Sequence, residues 1–207
     1  MPLSELAPIL LAWVIAISSP GPATLAITGT AMEAGRARGL ALACGVVAGS
    51  AFWGLVAGLG LGAAMMSQAW AVELLRYAGA GYLAWLAWRS ARAALRPGAA
   101  QARGAGEETL RHAFARGALI HITNPKAVLF WSAIFAVVIP AGAPAWVLWE
   151  VGLACLITSA MTFTLMAFAF SSRPVAAGYL RARRWFDAAF AALFGLAAFK
   201  VLTTRFA

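Results

Sequence analysis

From Leu6 to Thr30 the chain carries no charged residue, yet the run is interrupted in its middle by Ser19-Pro20-Gly21-Pro22. Its length suits a bilayer crossing, which takes about 20 apolar residues in a helix. Proline lacks an N–H and its ring clashes with the preceding turn, so the helix does not cross unbroken. A hydrogen-bonding side chain directly before a proline is the order of an N-cap followed by the first helical residue. Ser19-Pro20 therefore predicts a second helix that starts mid-run. The second half repeats the pattern at Thr123-Asn124-Pro125-Lys126-Ala127. Backbone groups freed at membrane depth are tolerated only where they line a cavity or are buried in protein. Paired interruptions at corresponding positions of two halves point to a transporter's binding site.

Composition fixes the class. Hydrophobic residues make up 63% of the 207 and charged residues 11%, with a mean hydropathy of +0.82. That is too little polar surface for a soluble domain of this size, so an all-α integral membrane protein is expected. Six transmembrane helices fit, over about 6–30, 39–65, 70–89, 114–139, 145–170 and 185–202. Short uncharged connections fall at 66–69 and 140–144, a flexible polar loop at 89–111 and a basic loop at 173–184. No charged leader with a cleavage site opens the chain, so the first span is expected to be retained. Residues 1–95 form a first three-helix repeat, 96–113 a cytoplasmic loop and 114–207 a second repeat. Three spans per half is an odd number, so the repeats are inverted and helices 1 and 4 are broken near the midplane.

The net charge of +9 is concentrated in the segments after spans one, three and five: Arg36 and Arg38; Arg89, Arg92, Arg96, Arg103, Arg111 and Arg116; Arg173, Arg181, Arg183 and Arg184. The positive-inside rule puts these arginines in the cytoplasm and both termini outside, in the periplasm of a bacterial inner-membrane protein. Trp70, Trp146 and Trp149 then mark the outer interface and Trp85, Trp88 and Trp185 the inner one. With no folded domain to carry it, the positive charge does not imply a nucleic-acid partner.

Glycines pattern the second span. Gly45 and Gly49 make one small-xxx-small pair, and Gly54, Gly58 and Gly62 a second series on the opposite face. This helix can be approached closely by two neighbours, and the stripes suit a homodimer or a monomer alike.

The two breaks are expected to meet at one depth with half-helix N-termini facing each other, an arrangement suited to a carboxylate. The candidate substrate-binding residues are Ser19, Pro20, Gly21, Pro22, Thr24, Ser50, Asn124, Pro125, Lys126, Thr158 and Thr162. Lys126 is the sharpest of them, because a lysine at this depth costs about 3 kcal/mol on insertion and marks a functional site. Thr28 adds a hydroxyl, His121 lies near Lys126, and Trp13, Trp53 and Trp131 stand away from the interfaces as core or cavity wall. No metal-ligand cluster, phosphate loop or nucleophile–base spacing is present, so neither a cofactor nor an enzymatic activity is indicated. Cys44 and Cys155, one in each half, leave a membrane thiol–disulfide relay as the alternative function.

The Ser19-Pro20-Gly21-Pro22-Ala23 stretch, Gly35 and Gly39 around Arg36 and Arg38, the glycine-patterned second span and Arg116-Gly117 leading to Asn124-Pro125-Lys126-Ala127 closely resemble the lysine exporter (LysE/RhtB) family. The resemblance covers nearly the whole chain. It implies a secondary transporter that exports amino acids or related small metabolites, driven by the proton motive force. It also implies site roles for Pro20, Gly21, Pro22, Asn124, Pro125 and Lys126. Two positions depart from the family pattern: Ala23, where many relatives have asparagine, and Ser50, where many have aspartate. The missing carboxylate points to a neutral rather than a basic amino acid.

Overall fold

The computed structural model describes residues 1–61, 69–95, 108–135 and 144–203, and every regular element among them is helical. In chain order these are α1 (Leu3–Ser18), α2 (Pro22–Ala34), α3 (Arg36–Val56, continued by a π-helical turn Ala57–Leu61), α4 (Ala69–Leu95), α5 (Leu110–Ile122), α6 (Pro125–Ala133), α7 (Ala145–Phe170) and α8 (Arg173–Thr203). The connections expected at 66–69 and 140–144, apart from Ala69, which opens α4, and Pro144, together with the middle of the 89–111 segment and the outer end of the fourth span, lie outside the described residues.

The stretches Arg36–Leu59 and Ala145–Phe170 are each long and apolar enough to cross a membrane. The α1–α2 pair, bent by 63° at its break, makes a third if it is one span. Face patterning on α7 is that of a lipid-embedded helix. Val151, Cys155, Ser159, Phe163 and Ala167 are buried, whereas Leu153, Ile157, Met161 and Leu165 are more than half exposed and wholly apolar. Water would not leave such a stripe uncovered; a bilayer does.

The chain divides into two compact units, Met1–Ala64 with Ala102–Ala176, and Met65–Gln101 with Ala177–Ala207. The first draws α1 to α3 from one half of the sequence and α5 to α7 from the other. Its tightest crossing is α3 on α5, where a Cβ on Gly45 would lie 2.0 Å from the Phe114 carbonyl oxygen and one on Gly117 2.2 Å from that of Leu42. Gly49 is constrained less tightly, a Cβ there lying 2.9 Å from the Ala118 carbonyl oxygen and the His121 Cβ. Gly54 receives the Trp131 ring and Gly58 that of Phe135. Both glycine series thus serve the fourth span, its first half on Gly45 and Gly49 and its redirected second half on Gly54 and Gly58. The second unit is described by α4 and most of α8, with Gly195 against Ala87.

The polar segments are more ordered than expected. α4 continues through Arg89 and Arg92 to Leu95, with the two guanidinium groups stacked over Trp85 and Trp88. The 173–184 segment is the start of α8, not a loop. Arginine is a good helix former, and Arg183 pairs with Asp187 one turn on at 3.6 Å. Before α5, Arg116 grips Glu108 through two 2.8 Å bonds and reaches Thr30 Oγ1 at 3.0 Å, while Arg38 Nε donates to the Glu108 carbonyl. The Arg116 guanidinium holds the Glu108 carboxyl below the usual carboxylate range.

Between α2 and α3, Gly35 has φ 84° and ψ 175°, a conformation that only glycine adopts without strain. Among the described residues nothing lies within 4 Å of where a Cβ on Gly35 would stand, so a methyl there costs backbone strain alone. Gly35→Ala is expected to lower stability by about 1–3 kcal/mol with transport per folded molecule retained, read as the detergent melting temperature beside an efflux assay. An unchanged melting temperature would disprove the strain.

Candidate functional site

The first break is built differently from its sequence reading. α1 ends with the Ser19 N–H bonded to the Ile15 carbonyl at 3.1 Å, and Ser19 turns extended, as the residue before a proline must. Ser19 is therefore the C-cap of α1 and not the N-cap of the next helix. α2 begins at Pro22, with Gly21 as its N-cap. Thr24 completes that cap: its Oγ1 accepts the Gly21 N–H at 2.9 Å, while its O–H lies 3.2 Å from the Ser19 carbonyl. The rule that a polar residue precedes the first helical proline holds at the second break. There Asn124 Oδ1 accepts the Lys126 N–H at 3.1 Å and Pro125 is the first residue of α6. At the end of α5 the Ile122 carbonyl accepts the Trp53 indole N–H, and the Thr123 hydroxyl adds a bond to the Leu119 carbonyl, which already accepts the Thr123 N–H.

Lys126 joins the two breaks. Its ammonium donates to the Ser19 carbonyl at 3.1 Å and to the Ser19 hydroxyl. That hydroxyl gives its own hydrogen to the Ala16 carbonyl, which leaves its lone pairs for the lysine. A Cβ on Gly21 would sit 3.6 Å from Nζ, in ordinary van der Waals contact. Lys126 is 6% exposed, and among the described residues no carboxylate pairs with it. A buried ammonium solvated by neutral oxygens remains under-compensated and favours an anion.

The ammonium faces a cavity of about 380 Å³, counting the space at its mouth. Gly21, Thr24, Ser50, Asn124 and Lys126 line it, as expected, together with His121. Its walls are Trp13, Phe130, Trp131 and Phe163. The two indoles are pinned: Trp13 Nε1 donates to Ser159 at 2.8 Å, Trp131 Nε1 donates to Ser50 at 3.0 Å, and the rings meet edge to face at 4.9 Å. Ser50 thus orients a wall as well as lining the cavity.

Other candidates are placed elsewhere. Ser19 reaches the site through Lys126, while Pro20, Pro22 and Pro125 shape the backbone and are not among the lining residues. Thr28 bonds the Thr24 carbonyl of its own helix. Thr158 and Thr162 share a face of α7, but it is not the one turned to the cavity; Ser159 and Phe163 occupy that face. Sequence reasoning missed these two residues, though the unbroken four-residue series Val151, Cys155, Ser159, Phe163, Ala167 was the available signal. Cys44 is exposed and Cys155 buried, and both thiols are free. Among the described residues no group of three or more His, Cys, Asp or Glu gathers that could hold a metal ion.

Comparison with known proteins extends beyond the site. The threonine efflux protein of Escherichia coli (strain K12) is 27% identical over 183 residues, covering 87% of this chain and 89% of its own. That of Salmonella typhi aligns over the same length and identity. An uncharacterized membrane protein of Pseudomonas aeruginosa is 33% identical over 129 residues, 59% of this chain and 58% of its own. No solved structure matches. The sequence profile of the LysE type translocators matches residues 14–205, nearly the whole chain and both breaks, and the chain accordingly belongs to the LysE type translocator family.

Proposed function

We propose that this protein exports a small neutral amino acid from the cytoplasm by alternating access, driven by the proton motive force. The observation that carries the reading is Lys126, a buried ammonium without a carboxylate partner at the meeting of two helix breaks. A substrate carboxylate takes over the ammonium from Ser19, at the starts of α2 and α6, where the helix dipoles add positive charge. The aromatic walls shield that pair from water, which strengthens it. The threonine efflux proteins among the relatives favour a small substrate such as threonine.

Two inverted repeats, the first ending near Leu95 and the second opening with α5 at Leu110 rather than after a loop to 113, supply the moving parts. In support, each half contributes one broken helix with proline as the first residue after the break, and the first compact unit mixes both halves. Rocking of one repeat on the other frees the carboxylate on the outer side. The arginine distribution sets the direction, with both termini periplasmic in a bacterial inner membrane.

The test is efflux from cells loaded with labelled neutral amino acids, with and without the protein, before and after a protonophore. Faster exit of at least one of them, abolished by the protonophore, is expected. A panel that leaves at the control rate overturns the reading.

A further inference from the structure

One lining residue has polar atoms with no assigned work. His121 stands in the last turn of α5, is 6% exposed and lines the same cavity as Lys126. Among the described residues neither of its ring nitrogens has a hydrogen-bond partner. The neighbouring polar side chains are engaged: Trp131 on Ser50, Thr24 on Gly21, Asn124 Oδ1 and Lys126 on the breaks. The imidazole is also held in place. Its Cβ lies 2.9 Å from where a Cβ on Gly49 would be, so it cannot retreat into α3, and its ring stands edge-on to Phe163 at 6.4 Å. A buried polar side chain left wholly unpaired costs free energy and calls for a partner.

The partner can be identified by elimination. An amino acid brings two charges, and Lys126 with the helix N-termini answers only the carboxylate. The lining contains no aspartate or glutamate for the ammonium. A neutral imidazole carries one nitrogen with a free lone pair, and a hydrogen bond from an ammonium is of the stronger, charge-assisted kind. Resting on the function proposed above, we infer that His121 accepts the substrate's α-ammonium hydrogen bond and so selects amino acids over their deaminated 2-hydroxy analogues.

The experiment compares a transported amino acid with its 2-hydroxy acid as competitors in counterflow, for wild type, His121→Phe and His121→Gln at equal abundance. Phenylalanine keeps the ring packing without a lone pair, while glutamine keeps an acceptor oxygen. The wild type is expected to prefer the amino acid. In His121→Phe that preference falls by about tenfold or more through the amino acid alone; in His121→Gln it is largely kept. Equal weakening of both competitors, or of neither, overturns the inference and leaves the proposed function standing. Absence of amino-acid counterflow in the wild type removes both.

A measurement without any change at 121 guards against misfolding. The chain has two histidines, and the other, His112, is exposed. In a His112→Gln protein the ¹⁵N imidazole resonances therefore report on His121. Addition of the amino acid is expected to shift the acceptor nitrogen and the 2-hydroxy acid to leave it in place. No shift with either ligand, or the same shift with both, counts against the assignment.

Discussion

Lys126→Met is expected to lower amino-acid efflux by about a hundredfold or more at unchanged membrane abundance. Removing one member of a buried, hydrogen-bonded charge pair costs about 2–5 kcal/mol, and each 1.4 kcal/mol is about tenfold. Before substrate arrives, however, the lysine's partners among the described residues are the neutral oxygens of Ser19 and the face of the Phe130 ring at 6.0 Å. Replacing an under-compensated buried charge by an apolar chain of similar length is often neutral for stability. Methionine fits the space, is unbranched and adapts to its neighbours. The two readings of Lys126 therefore separate cleanly. A carboxylate ligand predicts a folded protein that no longer transports, whereas a mere tie between the breaks predicts lost abundance with a normal rate per molecule. Lys126→Arg is expected to resemble Lys126→Met, since a planar guanidinium is larger than the ammonium and the position is buried.

The sequence made Lys126 legible because the cost of burying a lysine is local and large. The glycine pattern was legible for the same reason: a residue without a side chain inside a membrane helix has little use except close approach. What stayed hidden was set by rotation and by distant partners. A proline on either side of Gly21 leaves two candidates for the first residue of α2, and only the Ser19 N–H bond back to Ile15 shows that α1 uses the first for its exit. Helical spacing correctly put Thr158 and Thr162 on one face of α7. It did not say which face turns inward. That is decided by Phe163 packing among Ile27, Leu42 and Val46, side chains far away in the sequence. Trp13 and Trp131 could be read as core or as wall until their indole N–H groups were seen anchored to Ser159 and Ser50. Helix α8 was misjudged because charge was taken to mark a loop, whereas arginine sustains a helix wherever its guanidinium finds a ring, a carboxylate or water.

Gly45→Ala and Gly117→Ala are each expected to destabilise the protein by about 3 kcal/mol, the upper end for overpacking. At both positions the new methyl meets a backbone carbonyl, at 2.0 and 2.2 Å, and a carbonyl held in a helix cannot swing aside as a side chain would. The α3–α5 crossing must open instead. Because α5 carries His121 and leads into the Asn124 cap, the opening also loosens the site. Gly81 and Gly178 are the controls: nothing approaches them within 4 Å, and alanine there gains up to about 1 kcal/mol of helix propensity. Melting temperatures in detergent should therefore fall for the first pair and hold or rise for the second. The double variant Gly45→Ala, Gly117→Ala adds a sharper condition. Both residues lie in one crossing, so a single separation of α3 from α5 relieves both clashes, and the double variant should lose clearly less than the sum of the two. Strict additivity would place the two glycines in independent contacts and break the link between this crossing and the second helix break.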